Sequence, residues 1–271
     1  MIELYDHPLS PYAQKVKIAL REKGVDFTAR TPADIGSGRT AADFASANPR
    51  AEVPALVHDG FAVFDSTVIV EYVEDAFPKP ALLPASAKDR ARVRMIEDVM
   101  DTHFEAITWG LSEVQNFGRA EGKEAERLMA AGGKEIAAWH EWLEGELGGR
   151  PFFNGDGFGW GDLAVVPFVN GALGFGHAPR AGSPLAAWQQ RANARPSVAA
   201  TRKEVEAFVA ASTTQSGGLA MVRQAVEQGL FKREYRDHRL EWMIRNGAID
   251  VVATGLKKSN IRFTSPFTRR R

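Results

Sequence analysis

The stretch Leu4-Tyr5-Asp6-His7-Pro8-Leu9-Ser10-Pro11-Tyr12-Ala13-Gln14-Lys15-Val16-Lys17-Ile18-Ala19-Leu20 decides how this chain is read. Ile2-Glu3-Leu4-Tyr5 is strand-like, and His7-Pro8 turns the chain. A helix then starts with Ser10 at the N-cap and Pro11 at the first helical position. Serine accepts an orphan backbone N–H there, and proline has none to lose. Val16, Ala19 and Leu20 recur at helical spacing, while Lys15, Lys17, Arg21, Glu22 and Lys23 take the other face. Gly24 stops the helix, and residues 25–30 read as a second strand. By itself Ser10 reads as a cap. A hydroxyl held where a strand meets a helix N-terminus can also face a partly negative group, with the helix's positive end behind it.

Working outward, residues 31–40 form a loop with Pro32, Gly36 and Gly38, and residues 41–47 a weak short helix. Asn48-Pro49-Arg50-Ala51-Glu52-Val53-Pro54 leads into a strand at 55–58. A proline just ahead of a strand raises the expectation of a cis peptide at Pro54. Asp59-Gly60 is a strong hairpin signal, so 61–64 returns antiparallel. Asp65-Ser66-Thr67 then caps a helix running to Phe77. The order is β-α-β-α-β-β-α.

Prolines 78, 80 and 84 read as a stiff linker. Beyond it the pattern is helical throughout: 87–117 with Val93, Ile96, Met100, Phe104, Ile107 and Leu111 on one face, then 120–147, 163–175, 183–194 and 197–211. The third of these is so apolar that it belongs at the centre of a bundle. Residues 212–218 form a link, followed by an extension with helices near 219–228 and 232–254 and a frayed tail from 261 to Arg271. The expected organisation is α/β plus all-α: a domain at 1–77, a linker at 78–87, an all-helical domain at 88–211 and a helical extension at 212–271.

Composition narrows the function classes. With 271 residues, 44% apolar and 25% charged, the chain is ordinary for a globular protein. Lys+Arg and Asp+Glu are 34 each, so no overall field favours nucleic acid or a membrane surface. No apolar run of membrane-spanning length and no signal segment is present, which makes the cytoplasm the default address. The absence of cysteine excludes disulfides, thiolate metal sites and a cysteine nucleophile of the protein's own. No cluster at metal-ligand spacing, phosphate loop or Ser-His-Asp set is found.

Three segments in order resemble the cytosolic glutathione transferase superfamily along residues 1 to about 211. Ser10-Pro11-Tyr12-Ala13-Gln14-Lys15-Val16 looks like its activating motif. Asn48-Pro49-Arg50-Ala51-Glu52-Val53-Pro54-Ala55-Leu56 is similar to its Asn-Pro-x-Gly-x-Val-Pro-x-Leu. Asp65-Ser66-Thr67-Val68-Ile69-Val70-Glu71-Tyr72-Val73 resembles its Glu/Asp-Ser-x-x-Ile-x-x-Tyr-Leu. The resemblance implies a thioredoxin-like domain that holds glutathione and a helical domain that walls the second substrate. It also implies a serine-type bacterial member in which Ser10 donates to the glutathione sulfur and favours its thiolate. Val53, before Pro54, would pair its backbone with the cysteinyl part. Asp65 and Ser66 would receive the γ-glutamyl end, although both also suit a plain helix cap. Arg39 is the candidate for the glycyl carboxylate.

The same resemblance implies a homodimer, and a small aromatic or halogenated electrophile as partner in conjugation, isomerisation, dehalogenation or β-ether cleavage. Leu9 is the candidate pocket floor, and Phe104, Trp109 and Phe117 are candidate pocket walls, although an aromatic stripe at helical spacing is more often plain core. Tyr5 is the rival to Ser10, and His7 is a turn residue able to tune the thiolate. Two departures stand out: Ala51 replaces the usual Gly, and Gly159 replaces the Ser or Thr of a capping box whose Asp162 is kept. The extension either folds over the pocket mouth or packs outside. The alternative to an enzyme is a non-catalytic ligand carrier on the same scaffold, which the joint presence of Ser10, Pro54, Asp65 and Ser66 disfavours.

Overall fold

The computed structural model describes residues 1–33, 35–36, 41–214 and 218–264. β1 (Ile2–Tyr5) lies inside a four-stranded sheet ordered β2 (Thr28–Arg30), β1, β3 (Ala55–His58), β4 (Phe61–Phe64). β1 runs parallel to β2, with Leu4 opposite Ala29, and antiparallel to β3, with Leu4 opposite Leu56. The Asp59-Gly60 turn closes β3 onto β4 as expected, with both residues at positive φ. α1 (Pro11–Glu22), the short α2 (Ala42–Ala47) and α3 (Ser66–Ala76) complete this half in the predicted order.

The half beyond the prolines is helical. α4 (Ala87–Val99) continues through one π-helical turn, Met100–Phe104, into α5 (Glu105–Gln115). This is the single long helix of the sequence reading with one turn widened. α6 (Gly122–Leu147) follows, then the buried α7 (Trp160–Ala172), α8 (Pro184–Asn193) and α9 (Pro196–Thr214). Leu4, Val16, Leu20, Ile69, Val93, Phe104, Leu163 and Val166 belong to one apolar cluster that joins the two halves. No helix of the described residues is long and apolar enough to cross a membrane.

Gly159 starts α7 in spite of its missing hydroxyl. A Cβ there would meet Asn154 Nδ2 at 2.0 Å and Leu82 O at 2.4 Å, so this entry has no space for serine. The buried Asp162 supplies the cap, accepting N–H from Gly159 at 3.0 Å and Phe153 at 2.9 Å, and Trp188 Nε1 at 2.7 Å.

The extension departs most from the sequence reading. α10 (Gly218–Glu227) matches, but the helix expected over 232–254 is split. β5 (Arg233–Glu234) comes first, then α11 (Asp237–Arg245), α12 (Ile249–Lys257) and β6 (Ile261–Arg262). Gly247, at φ +72°, breaks the helix after Asn246. β6 pairs parallel with β5, so residues 261–262 are held rather than frayed.

Candidate functional site

The turns of the N-terminal half that the sequence singled out are each capped locally. Ser10 is the N-cap of α1: its Oγ accepts from Ala13 N at 3.3 Å, and its own N–H donates to His7 O at 2.8 Å. Asn48 braces the next turn, donating from Nδ2 to Glu52 O at 2.6 Å and accepting Arg50 N at 2.9 Å. The Val53–Pro54 bond is cis, as expected, and Lys79–Pro80 is a second cis bond. Ala51 sits at φ +55°, so the turn keeps the left-handed backbone that glycine would take more cheaply. Asp65 lies at φ +76° as N-cap of α3 and accepts from Thr67 N at 3.1 Å and Val68 N at 3.3 Å.

These turns open on a cavity of about 260 Å³. Asn48, Arg50, Glu52, Val53 and Pro54 line one side, with Phe64, Asp65 and Ser66 beside them. Tyr12 lines it from α1, and Asp101 and Thr102 from the π turn. The remaining wall is Arg236, Asp237 and His238 from the extension, which therefore reaches the cavity rather than packing only outside.

Behind the cavity lies a buried charge knot. Lys15 Nζ, fully buried, donates to Glu97 at 2.7 Å, Asp101 at 2.6 Å and Thr67 Oγ1 at 3.3 Å, and Trp160 Nε1 donates to Glu97 at 2.6 Å. Burial pushes the Asp101 carboxyl up to about 6 even with Lys15 opposing it. Tyr12 donates to Asp101 O at 2.7 Å, and burial keeps its phenol protonated.

Of the residues singled out from sequence, Val53, Pro54, Asp65 and Ser66 meet on this cavity. Ser10 stands at the start of α1, two residues before the cavity-lining Tyr12, and is not itself among the lining residues. Leu9 is 48% exposed and also off the cavity. Phe104 is in the core against His140 and Phe168. Trp109 is covered by the extension, with Tyr235 edge-on at 4.6 Å and Arg233 and Arg239 over its face. Phe117 is stacked by Phe231 at 6.1 Å. The aromatic stripe is therefore core and extension seat, not cavity wall. Arg39 lies outside the described residues. Tyr5 is buried on Phe44 and accepts from Arg30, away from the cavity, and burial lowers the His7 pKa.

The residues that sequence reasoning missed are Tyr12, Asp101, Thr102 and the Arg236–His238 segment. Tyr12 was legible as the neighbour of Ser10. The others come from remote helices, and no spacing rule connects them to the first turns.

The N-terminal domain model of the glutathione S-transferases matches residues 4–81. Glutathione S-transferase U28 of Arabidopsis thaliana is 32% identical, over 76% of this chain and 90% of its own. A probable glutathione S-transferase of Oryza sativa subsp. indica is 34% identical, over 72% of this chain and 87% of its own. A rice glutathione transferase solved in complex with glutathione superposes with a TM-score of 0.62 at 30% identity, covering 79% of this chain and 97% of its own. With its sheet order, its Val53–cis-Pro54 turn and its capped Asp65-Ser66 all in place, this chain belongs to the cytosolic glutathione transferase superfamily.

Proposed function

We propose that this protein is a serine-type glutathione transferase in which the thiolate of bound glutathione attacks a small electrophilic substrate, aromatic or halogenated. The observation that carries the reading is the meeting of Val53, Pro54, Asp65 and Ser66 on one cavity, next to a helix that starts at Ser10. Val53 offers backbone groups to an extended peptide. The Ser66 N–H at the start of α3 and the Ser66 hydroxyl suit the γ-glutamyl carboxylate, and Asp65 suits its ammonium. Ser10 Oγ already accepts from Ala13 N, which leaves its hydroxyl hydrogen to donate to a sulfur anion. Both that bond and the N-terminus of α1 stabilise thiolate over thiol, lowering the thiol pKa. With no cysteine in the chain, thiolate addition or substitution is favoured over thiol–disulfide exchange.

A cytoplasmic homodimer is part of this reading. Exposed Phe61, Val68 and Met95 are apolar residues that a partner subunit would cover, and light scattering of the purified protein tests it.

Ultraviolet titration of bound glutathione in wild type and Ser10→Ala tests the mechanism. The expected result is a depressed thiol pKa in wild type that returns toward the free value in the variant, with kcat lower by about 10²-fold. An equally depressed pKa in the variant removes Ser10 from the role and moves it to His7 or the cavity-lining Tyr12. Glutathione binding without a depressed thiol pKa in wild type favours the carrier reading, and absence of glutathione binding leaves only the scaffold.

A further inference from the structure

Three arginines of the extension are each held by a glutamate of the body, and they are not equivalent. Arg233 pairs with Glu113 at 2.5 Å, and Arg239 donates to both oxygens of Glu105 at 3.0 and 2.5 Å. Both also lie over Trp109, at 5.4 and 5.2 Å from its ring centre. They are anchors. Arg236 instead lines the cavity, with its side chain 27% exposed.

Its orientation is fixed from two sides. Nε donates to Glu234 at 2.9 Å, and Nη2 donates to Glu52, the residue before Val53. Both glutamates have further donors: Thr264 Oγ1 reaches Glu52 at 2.6 Å, and Arg262 reaches Glu234 at 2.5 Å. The guanidinium carbon lies 5.8 Å from the centre of the Tyr12 ring, another cavity wall. Among the described residues, Nη1 has no hydrogen-bond partner. A planar donor group is thus set at the cavity with one nitrogen unused.

The lining carries Arg50 and Arg236 as cations beside the carboxylates of Glu52, Asp65, Asp101 and Asp237, so an anion here would be met by the free nitrogen of Arg236 and not by the overall field. Outside the lining, Arg239 and Arg262 are paired with Glu105 and Glu234. The Asp237 carboxylate on the same segment is 98% exposed and well screened. Asp101 is paired with Lys15, and Asp65 caps α3.

We propose that Arg236, carried to the cavity by the extension, is a carboxylate-binding residue of this site. The inference rests on the glutathione reading above and adds a determinant from the extension. The carboxylate has two possible sources. One is the glycyl end of glutathione, the part beyond the cysteinyl group that the proposed function sets against Val53; the other is an acid group on the second substrate.

The test compares wild type, Arg236→Gln, Arg236→Lys and the double variant Glu52→Gln/Arg236→Gln, which removes the pair without leaving a half-buried carboxylate alone. Dissociation constants are measured for glutathione and for its glycyl ethyl ester. Values of kcat/KM are measured for a neutral chlorodinitrobenzene and for a chloronitrobenzoate, with thermal melts as the fold control. Charge-assisted hydrogen bonds of this kind are worth roughly 10- to 100-fold. Wild type is expected to prefer glutathione over the ester by about that factor, with the preference lost in both Gln variants and partly kept in Arg236→Lys. That outcome assigns the glycyl carboxylate. Loss of the preference for the benzoate with the ester ratio unchanged assigns the second substrate. Retention of both ratios in the Gln variants overturns the proposal and leaves Arg236 a structural tie. Failure of wild type to bind either glutathione or the ester overturns the glutathione reading itself.

Discussion

The two walls of the cavity are built by different physics. The N-terminal wall is made of caps and turns: Ser10 on Ala13, Asn48 on Arg50 and Glu52, Asp65 on Thr67 and Val68. Every one of those bonds joins residues at most four apart. The extension's wall is made of ion pairs that span the chain: Arg236 to Glu52 across 184 residues, Arg239 to Glu105 across 134, Arg233 to Glu113 across 120. Local bonds form wherever the segment folds, whereas distant charge pairs exist only when both partners have been brought together and desolvated. The first wall should therefore tolerate loss of single polar partners, and the second should not.

Glu105→Ala is the harshest test of that contrast. It leaves the buried Arg239 guanidinium without its carboxylate, and the expected loss is about 3–5 kcal/mol in urea unfolding. Ser10→Ala, by comparison, removes one cap, worth about 1 kcal/mol of stability. Equal losses from the two substitutions would break the comparison.

Acid separates the regions by window. Burial alone would raise the Glu105 carboxyl, but Arg239 and His238 outweigh it and hold it down to about 2. Because the folded value lies below the unfolded one, its contribution is complete above about pH 4.5 and is lost as pH falls toward 2. The linkage amounts to about 3 kcal/mol. In the helical half, burial holds His140 down to about 4 from 6.5, so stability there falls between pH 6.5 and 4. Fluorescence of the buried Trp242 should therefore report release of the extension at lower pH than the fall in urea midpoint that His140 produces. Coincident transitions would mean that the extension does not detach separately.

Two smaller substitutions sharpen the picture. Gly110 on α5 is the seat of Trp242: a Cβ there would meet the indole at 2.2 Å. Gly110→Ala should cost about 1–3 kcal/mol in thermal melts and disturb the Trp242 signal. Ala51→Gly should stabilise by about 1 kcal/mol, since alanine holds φ +55° at a cost glycine avoids, while glutathione affinity stays unchanged.

The legibility of the sequence follows the same division. Gly24, Asp59-Gly60, Pro54 and the Ser10 and Asp65 caps each carry their instruction within a few residues, so the strand and helix order of the first half could be read directly. The aromatic stripe left pocket wall and core both open because helical spacing says which face is apolar and not what covers it. Trp109 is covered by Tyr235, 126 positions away. In the extension, the apolar spacing outweighed Asn246-Gly247, whose turn splits the expected helix.

Local chemistry thus determined the caps, the turns, the order of strands and helices in the first half and the family to which this chain belongs. Tertiary structure alone decided that the extension returns to the cavity and sets Arg236 beside Glu52. Backbone preferences act over a few residues and are written in them. A buried ion pair depends on the solvent exclusion that only the assembled fold creates.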